Sequence, residues 1–290
     1  MIVDVHTHTP THRDRVPPDE MVVNMAWRPD RHVAATTTWA DYASAQAGVD
    51  VSLVYLIAAG REATGLPTEL ALINDQTAAF VADSPAGRIG FASVHPDASN
   101  AIEELERSTG DLGLRGIKLG PNYQDFDPLS PNALRVYRHA EAHGLPIVFH
   151  QGTSPIRTAP LRYAHPLVMD EIAIRFPELR VVMAHLGHPW QTDTIAVIRK
   201  HPHVYADVSA GFYRPWSFYT AMRLATEWNV LDKLLFGSDY PIATAGETMA
   251  GLRSLNEIPG RSGLPTIPEA AIEAIIERDA LACLGLERSA

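Results

Sequence analysis

The chain has 290 residues, of which 46% are hydrophobic and 20% charged, and its formal net charge is −10. This is the composition of an ordinary globular protein, and the acidic balance without a clustered Lys or Arg run disfavours binding to nucleic acid or to an anionic membrane. The single cysteine, Cys283, excludes an intrachain disulfide framework and a cysteine-based zinc site. No apolar run approaches membrane-spanning length and no signal peptide is recognisable, so we expect a cytoplasmic protein.

Short apolar runs, often β-branched, alternate along the chain with helical stretches. The predicted strands are Ile2–His8, Val49–Ile57, Ile89–His95, Gly116–Leu119, Pro146–His150, Val181–Leu186, Val204–Ser209 and Leu234–Asp239. The predicted helices include Thr68–Asp83, Ala98–Ser108, Pro131–His143, Pro166–Phe176, Thr192–Arg199, Pro215–Trp228 and Pro268–Leu284. We expect the last of these helices to pack outside the sheet or at a subunit contact.

Strands buried on both faces and joined by helices indicate a parallel sheet, and eight such units favour a (β/α)8 TIM barrel. An open doubly wound sheet is the alternative, but no Gly-rich dinucleotide loop follows the first strand. We predict a single domain over residues 1–290. The long segment after the first strand, Thr9–Thr38, is expected to fold over the C-terminal face as a lid or substrate loop; a surface excursion is the alternative.

The first strand carries His6 and His8, whose spacing places both side chains on one face. Two imidazoles about 7 Å apart along a strand can share a metal ion. Later predicted strands end in His95, His150, His185 and Asp239. In a barrel these ends meet at the face where active sites form, so the sequence predicts a metal-centred site there.

Five motifs follow one another along the chain: Asp4-x-His6-x-His8, Gly116-Ile117-Lys118-Leu119, His150-x-Gly152-Thr153, Ala184-His185-Leu186-Gly187 and Phe236-Gly237-Ser238-Asp239-Tyr240-Pro241. Their ordered combination, from residue 2 to about 286, resembles the amidohydrolase superfamily. More narrowly, it is similar to the amidohydrolase-related branch that contains aminocarboxymuconate semialdehyde decarboxylase.

The resemblance implies one divalent metal ion, most simply zinc with manganese as an alternative, held by His6, His8, His150 and Asp239. It also implies that His185 acts beside the metal as acid or base. The donor set agrees, since three imidazoles and a carboxylate suit zinc and leave a position for water or substrate. Asp239 is then placed to accept a proton from a metal-activated water.

Lys118 occupies the strand position where binuclear amidohydrolases use a carboxylated lysine to bridge two metals. The branch that the chain resembles is mononuclear, so binding of a substrate carboxylate or an outward-pointing side chain are the alternatives. Asp4 is interpreted either as a partner that orients an imidazole or as a buried polar residue.

Residues in the loops after the strands are candidates for substrate contact. An arginine there can clamp a carboxylate through two hydrogen bonds, and an aromatic ring can cover a flat organic ligand. Surface exposure and ordinary loop packing are the alternative interpretations. The candidates in these loops are Trp27, Arg28, Tyr123, Arg157, His188 and Trp190, and Lys118 on the fourth predicted strand is a further one.

Two reactions fit the predicted site, and both take a small organic substrate with a carboxylate or a ring. Hydrolysis of a lactone, amide or ester by a metal-activated water is favoured because the superfamily is mostly hydrolytic. Nonoxidative decarboxylation of an aromatic or muconate-type acid is the alternative, and a metal-free or non-catalytic barrel is a third. A homodimer or higher homo-oligomer is the default expectation for the assembly.

Overall fold

The computed structural model describes residues 1–9, 28, 30, 33, 38–57, 70–84, 87–154, 156, 158–259 and 263–286. Its strands are β1 Val3–His8, β2 Val51–Tyr55, β3 Arg88–Gly90, β4 Ile117–Leu119, β5 Ile147–Phe149, β6 Val181–Met183, β7 Val204–Asp207 and β8 Leu234–Leu235. Hydrogen bonds order them as β1-β2-β3 and as β4-β5-β6-β7-β8, and all pairs are parallel.

Backbone contacts join the two sheets at both pairs of edges. Beyond β3, Ala92 pairs with Ile117 in a parallel bridge, and the Lys118 N–H donates to the Ala92 carbonyl at 2.7 Å. Beyond β8, the Val5 N–H donates to the carbonyl of Phe236 at 3.0 Å. The strands therefore form the ring of a (β/α)8 TIM barrel, which confirms the predicted fold class.

The helices found in the described ranges are α1 Trp39–Ala45, α2 Leu70–Ala82, α3 Ala101–Gly110, α4 Pro121–Gln124, α5 Pro131–Ala142, α6 Val168–Arg175, α7 Gln191–Lys200, α8 Pro215–Glu227, α9 Ala245–Arg253, α10 Glu269–Ile276 and α11 Ala280–Leu284. Their starts follow ordinary capping chemistry. Ser130 caps α5, with Pro131 in the first turn, and Thr244 forms a capping box with Glu247 at α9. In the part of the chain described, every helix falls short of what a bilayer crossing requires.

The prediction of one continuous C-terminal helix, Pro268–Leu284, is wrong. The segment is divided into α10 and α11 because the Asp279 side chain accepts a hydrogen bond from the Ala282 N–H at 3.1 Å and starts a new helix. Leu281 and Leu284 of α11 share a buried cluster with β1 residues such as Val5, whereas Ile272 and Ile276 of α10 belong to the core cluster that contains the other outer helices, as expected. Burial of these leucines holds α11 against the barrel.

Little of the predicted lid, Thr9–Thr38, falls within the described residues, but Arg28 does. Its guanidinium pairs with Asp30 at 2.5 Å and with Glu247 of α9 at 3.2 Å. It also lies 5.0 Å from the ring centroid of Phe212 and 4.9 Å from that of Tyr213. Arg28 is only 5% exposed, so it connects this part of the chain to the loops that follow β7 and β8.

Candidate metal centre

Histidine and carboxylate side chains meet where β1 ends beside β8. The Nε2 atoms of His6 and His8 lie 3.3 and 3.4 Å from the same oxygen of Asp239, its Oδ1. His6 is 1% exposed, and the buried ring of Tyr55 lies 5.5 Å from it and 5.2 Å from His8. The alternation of β1 therefore delivers both imidazoles to one point, as the His6-x-His8 spacing predicts.

Asp239 does not belong to a strand, although the sequence predicts that its strand runs to this residue. β8 ends at Leu235, and Asp239 has a left-handed backbone with φ 61°. Its N–H donates to the His6 carbonyl at 2.8 Å, and the His8 N–H donates to Tyr240 at 2.9 Å. These bonds fix the turn after β8 against β1, so the carboxylate stays close to the two imidazoles.

Asp207, at the end of β7, is a site residue that the sequence analysis missed. Its fully buried carboxylate accepts a hydrogen bond from His6 Nδ1 at 2.9 Å, and its other oxygen accepts the backbone N–H of His185 at 3.0 Å. Its position in the sequence could have identified it, because Asp207 lies near the C-terminal end of the predicted strand Val204–Ser209. A carboxylate bonded to the far nitrogen of a ligand imidazole is the usual partner in metal sites.

His185 lies in a tight turn after β6 with a left-handed φ of 58°. Its ring centroid is 4.7 Å from that of His6 and 5.1 Å from that of His150. Its Nδ1 lies 2.8 Å from the hydroxyl oxygen of Ser209. Burial, followed by repulsion from His6 and His150, holds the pKa of His185 well below 6.5, so the ring is neutral at pH 7.

His150 packs against His185, but it belongs to neither set of ligand atoms that lie within 4.8 Å of one another. Its Nε2 lies 3.3 Å from the Thr153 carbonyl, and its ring lies 4.4 Å from that of Tyr123. Burial, and to a smaller extent repulsion from Lys118, lowers the pKa of His150 to about 3. Its assignment as a fourth ligand stays a prediction.

The donor set fits a divalent cation. Two groups each place one ligand atom per residue within 4.8 Å of one another: His6, His8 and Asp239, and His6, His185 and Asp207. Because His6 Nδ1 donates to Asp207, its Nε2 presents a lone pair to the Asp239 carboxylate, which also carries lone pairs. Burial also holds the pKa of His6 well below 6.5, which disfavours an imidazolium there. A cation between these acceptors resolves the repulsion.

The Lys118 side chain points into the barrel. The sequence alone did not show whether it points inward or outward. It is fully buried, its Nζ lies 4.6 Å from the Tyr55 ring centroid, and that atom has no hydrogen-bond partner among the described residues. Burial lowers its pKa from 10.5 to about 8, against the attraction of Asp207 and Asp239. An amine near both carboxylates is therefore available to a ligand in the site.

The other candidates have different environments. Arg28 is paired with carboxylates, as described above. His188 is half-buried and accepts a hydrogen bond from Gln191 at 3.0 Å, and burial lowers its pKa to about 4. The Trp190 ring packs 4.8 Å from that of His165. Trp27 and Arg157 fall outside the described residues, so their predicted roles are not addressed by the structure.

His95 was expected to face the same site, but the structure places it elsewhere. Its Nε2 lies 2.8 Å from the Gln124 carbonyl, and its Nδ1 accepts the Asp97 N–H at 3.2 Å. Both ring nitrogens are thus occupied by neighbouring loop backbone. The expectation failed because β3 ends at Gly90, five residues before His95. Strand alternation therefore no longer sets the direction of the His95 side chain.

A parallel barrel with histidines and carboxylates at the carboxyl ends of its strands is the architecture of TIM-barrel enzymes. A family model described as Amidohydrolase matches residues 3–286. The chain therefore belongs to the amidohydrolase family, which confirms the resemblance seen in its motifs.

Three solved structures illustrate the likeness. An uncharacterized TIM-barrel protein from Bordetella bronchiseptica is 21% identical, with a TM-score of 0.73 over 98% of this chain and 99% of that one. A probable 2-pyrone-4,6-dicarboxylic acid hydrolase from Acinetobacter baumannii, with citric acid bound, is 16% identical, with a TM-score of 0.66 over 98% and 99%. A dihydroxybenzoic acid decarboxylase from a Polaromonas species, with manganese and the inhibitor 2-nitroresorcinol, is 16% identical, with a TM-score of 0.68 over 99% and 98%. At these identities the likeness shows the fold.

Proposed function

We propose that the protein is a metal-dependent hydrolase that acts on a small organic substrate with a carboxylate. The observation that carries the proposal is the meeting of His6 Nε2 and His8 Nε2 at Asp239 Oδ1, with Asp207 bonded to the opposite nitrogen of His6. Imidazole and carboxylate ligands favour zinc and also accept manganese. The similarity to a manganese-containing decarboxylase supports a divalent ion here, and the similarity to a probable hydrolase supports hydrolysis.

Each residue of the site then has a chemical role. When bound, the divalent ion lowers the pKa of water to about 7 in favourable sites and polarises a carbonyl oxygen. Asp239 accepts the proton of the attacking water, and burial, which raises the pKa of this carboxyl above 3.8, strengthens it as a base. His185, neutral at rest, takes this proton from Asp239 and delivers it to the leaving group. The Lys118 amine, in its charged form, binds the substrate carboxylate.

Nonoxidative decarboxylation is the second candidate. It is favoured by the buried amine of Lys118, which lies 4.6 Å from the ring centroid of Tyr55, since a buried cation against an aromatic ring suits an aromatic acid. In this reaction the bond to the carboxylate carbon breaks, CO2 leaves, and His185 takes up a proton from solvent and passes it to the ring carbon. The similarity to a dihydroxybenzoic acid decarboxylase supports this candidate.

One experiment separates the two reactions. The purified protein is analysed for metal content, then loaded with zinc or manganese and assayed with carboxylated lactones and amides and, in parallel, with hydroxybenzoates and muconate semialdehydes. We expect stoichiometric metal and ring or amide opening without CO2. CO2 release in place of hydrolysis would replace the first candidate by the second, and the absence of bound metal would overturn both.

A further inference from the structure

A buried hydrogen-bonded chain behind the site joins Asp207, Ser209 and His185. Ser209 is 1% exposed, and its hydroxyl lies between the Nδ1 of His185, at 2.8 Å, and Oδ1 of Asp207, to which it makes a short hydrogen bond. The Ser209 N–H also donates to Asp207 Oδ1 at 3.1 Å. Neither the sequence motifs nor the roles assigned above use this serine.

The directions of these hydrogen bonds follow from the chemistry of the groups. Asp207 Oδ1 receives the N–H groups of His185 and Ser209, and its Oδ2 receives His6 Nδ1, as expected of an ionised, acceptor-only carboxylate. The Ser209 hydroxyl must therefore donate its single proton to Asp207. Its oxygen is then left as an acceptor, so His185 Nδ1 must carry the proton in their shared bond.

We propose that Ser209 is a positioning residue that holds His185 in the tautomer protonated at Nδ1 and leaves Nε2 as the free acceptor of the ring. The carboxylate of Asp207 also accepts the proton on Nδ1 of His6. The same buried carboxylate therefore sets the tautomer of His6 directly and that of His185 through Ser209. The effect of this tautomer on turnover rests on the proposed function. In that reaction His185 must first accept a proton at Nε2 and then deliver it.

These contacts predict the effect of removing the hydroxyl. In Ser209→Ala the Nδ1–H of His185 loses its partner in a buried place, where an unpaired donor is costly. The ring regains a partner only by turning or by moving its proton to Nε2, and either change spoils its use as a proton acceptor. Ser209→Thr keeps the hydroxyl and is the conservative variant.

The test reads the tautomer directly. Nitrogen-15 NMR of the zinc-loaded protein with labelled histidine identifies the His185 signals by their loss in His185→Gln. We expect a protonated Nδ1 and an unprotonated Nε2 in the wild type, loss of this pattern in Ser209→Ala and its return in Ser209→Thr. The matched control is Ser108→Ala, since Ser108 is also fully buried and also donates to a carboxylate, that of Glu104 at 3.1 Å, on α3; it should leave the pattern unchanged.

A kinetic measurement completes the test. Ser209→Ala should lower kcat about 10- to 100-fold, the usual cost of losing such a partner, with KM and zinc content nearly unchanged. A wild-type His185 protonated at Nε2, or an unaltered His185 pattern or kcat in Ser209→Ala, would overturn the inference. If the wild type neither hydrolyses nor decarboxylates any substrate, the proposed function fails while the NMR result still decides the tautomer.

Discussion

Replacement of Lys118 by methionine should stabilise the metal-free protein at neutral pH. Lys118 is fully buried, and its pKa falls from 10.5 to about 8. At about 1.4 kcal/mol per pH unit, keeping this amine charged at pH 7 costs about 3 kcal/mol. This cost already includes the favourable contacts of the charged amine, because a pKa shift reports the net free energy of charging the group in its site. Methionine has a similar length and no charge, and its packing costs up to about 1.5 kcal/mol, so we expect a net gain of about 1.5–3 kcal/mol in the free energy of unfolding.

The pH dependence gives this prediction its sharpest test. The folded-state pKa of Lys118 lies below the unfolded value, so between about pH 8 and 10.5 the unfolded wild type binds more protons and wild-type stability rises with pH. The advantage of the variant is therefore complete below pH 8 and is lost as the pH approaches 10.5. Urea denaturation after chelation, at pH 7 and pH 10, measures it. The control is Lys200→Met, because Lys200 is exposed and pairs with Asp170 at the surface. A variant less stable than wild type at pH 7, or an advantage independent of pH, would refute the reasoning.

The remaining predictions concern ligands, proton transfer and the loop. His6→Ala and Asp239→Ala should lose bound metal and activity in elemental analysis and rate assays, whereas His139→Ala, on the far helix α5, should retain both; stoichiometric metal in the first two would contradict the ligand assignment. His185→Ala should keep its metal and lose about 10²–10⁴ in kcat, and unchanged rates would remove its role. Arg28→Met should lower the free energy of unfolding by about 1–3 kcal/mol, since its guanidinium is paired with two carboxylates; unchanged stability with a raised KM would favour substrate binding instead.

Much of the site was predictable because it lies at strand ends. Alternation along β1 places His6 and His8 together, and the rule that barrel sites form at carboxyl ends selects Asp239. The same rule selects Asp207, but no motif marks this residue, and it was passed over. Its role becomes visible only through its hydrogen bond with His6, which spans 201 residues of sequence.

Other features had no local signal at all. Every residue of β4 is buried, so polarity along Ile117-Lys118-Leu119 does not reveal which face points into the barrel. The partner of Arg28 in α9, Glu247, is 219 residues away, and nothing near Arg28 in the sequence distinguishes this pairing from a substrate contact. Such long-range pairs depend on how the loops after different strands meet, which periodicity does not describe.

The backbone of the site explains why the predicted strand ends ran too long. Asp239 and His185 both have left-handed φ values, 61° and 58°, a conformation that costs most residues about 1–2 kcal/mol. Asp and His are among the side chains that tolerate it best, so the same residue types serve both the turn and the chemistry. Hydrogen bonds from the Asp239 N–H to His6 and from the His185 N–H to Asp207 hold both turns. A glycine would relieve the backbone at either position but would remove the carboxylate or the imidazole, so the strain is retained where the proposed function requires the side chain.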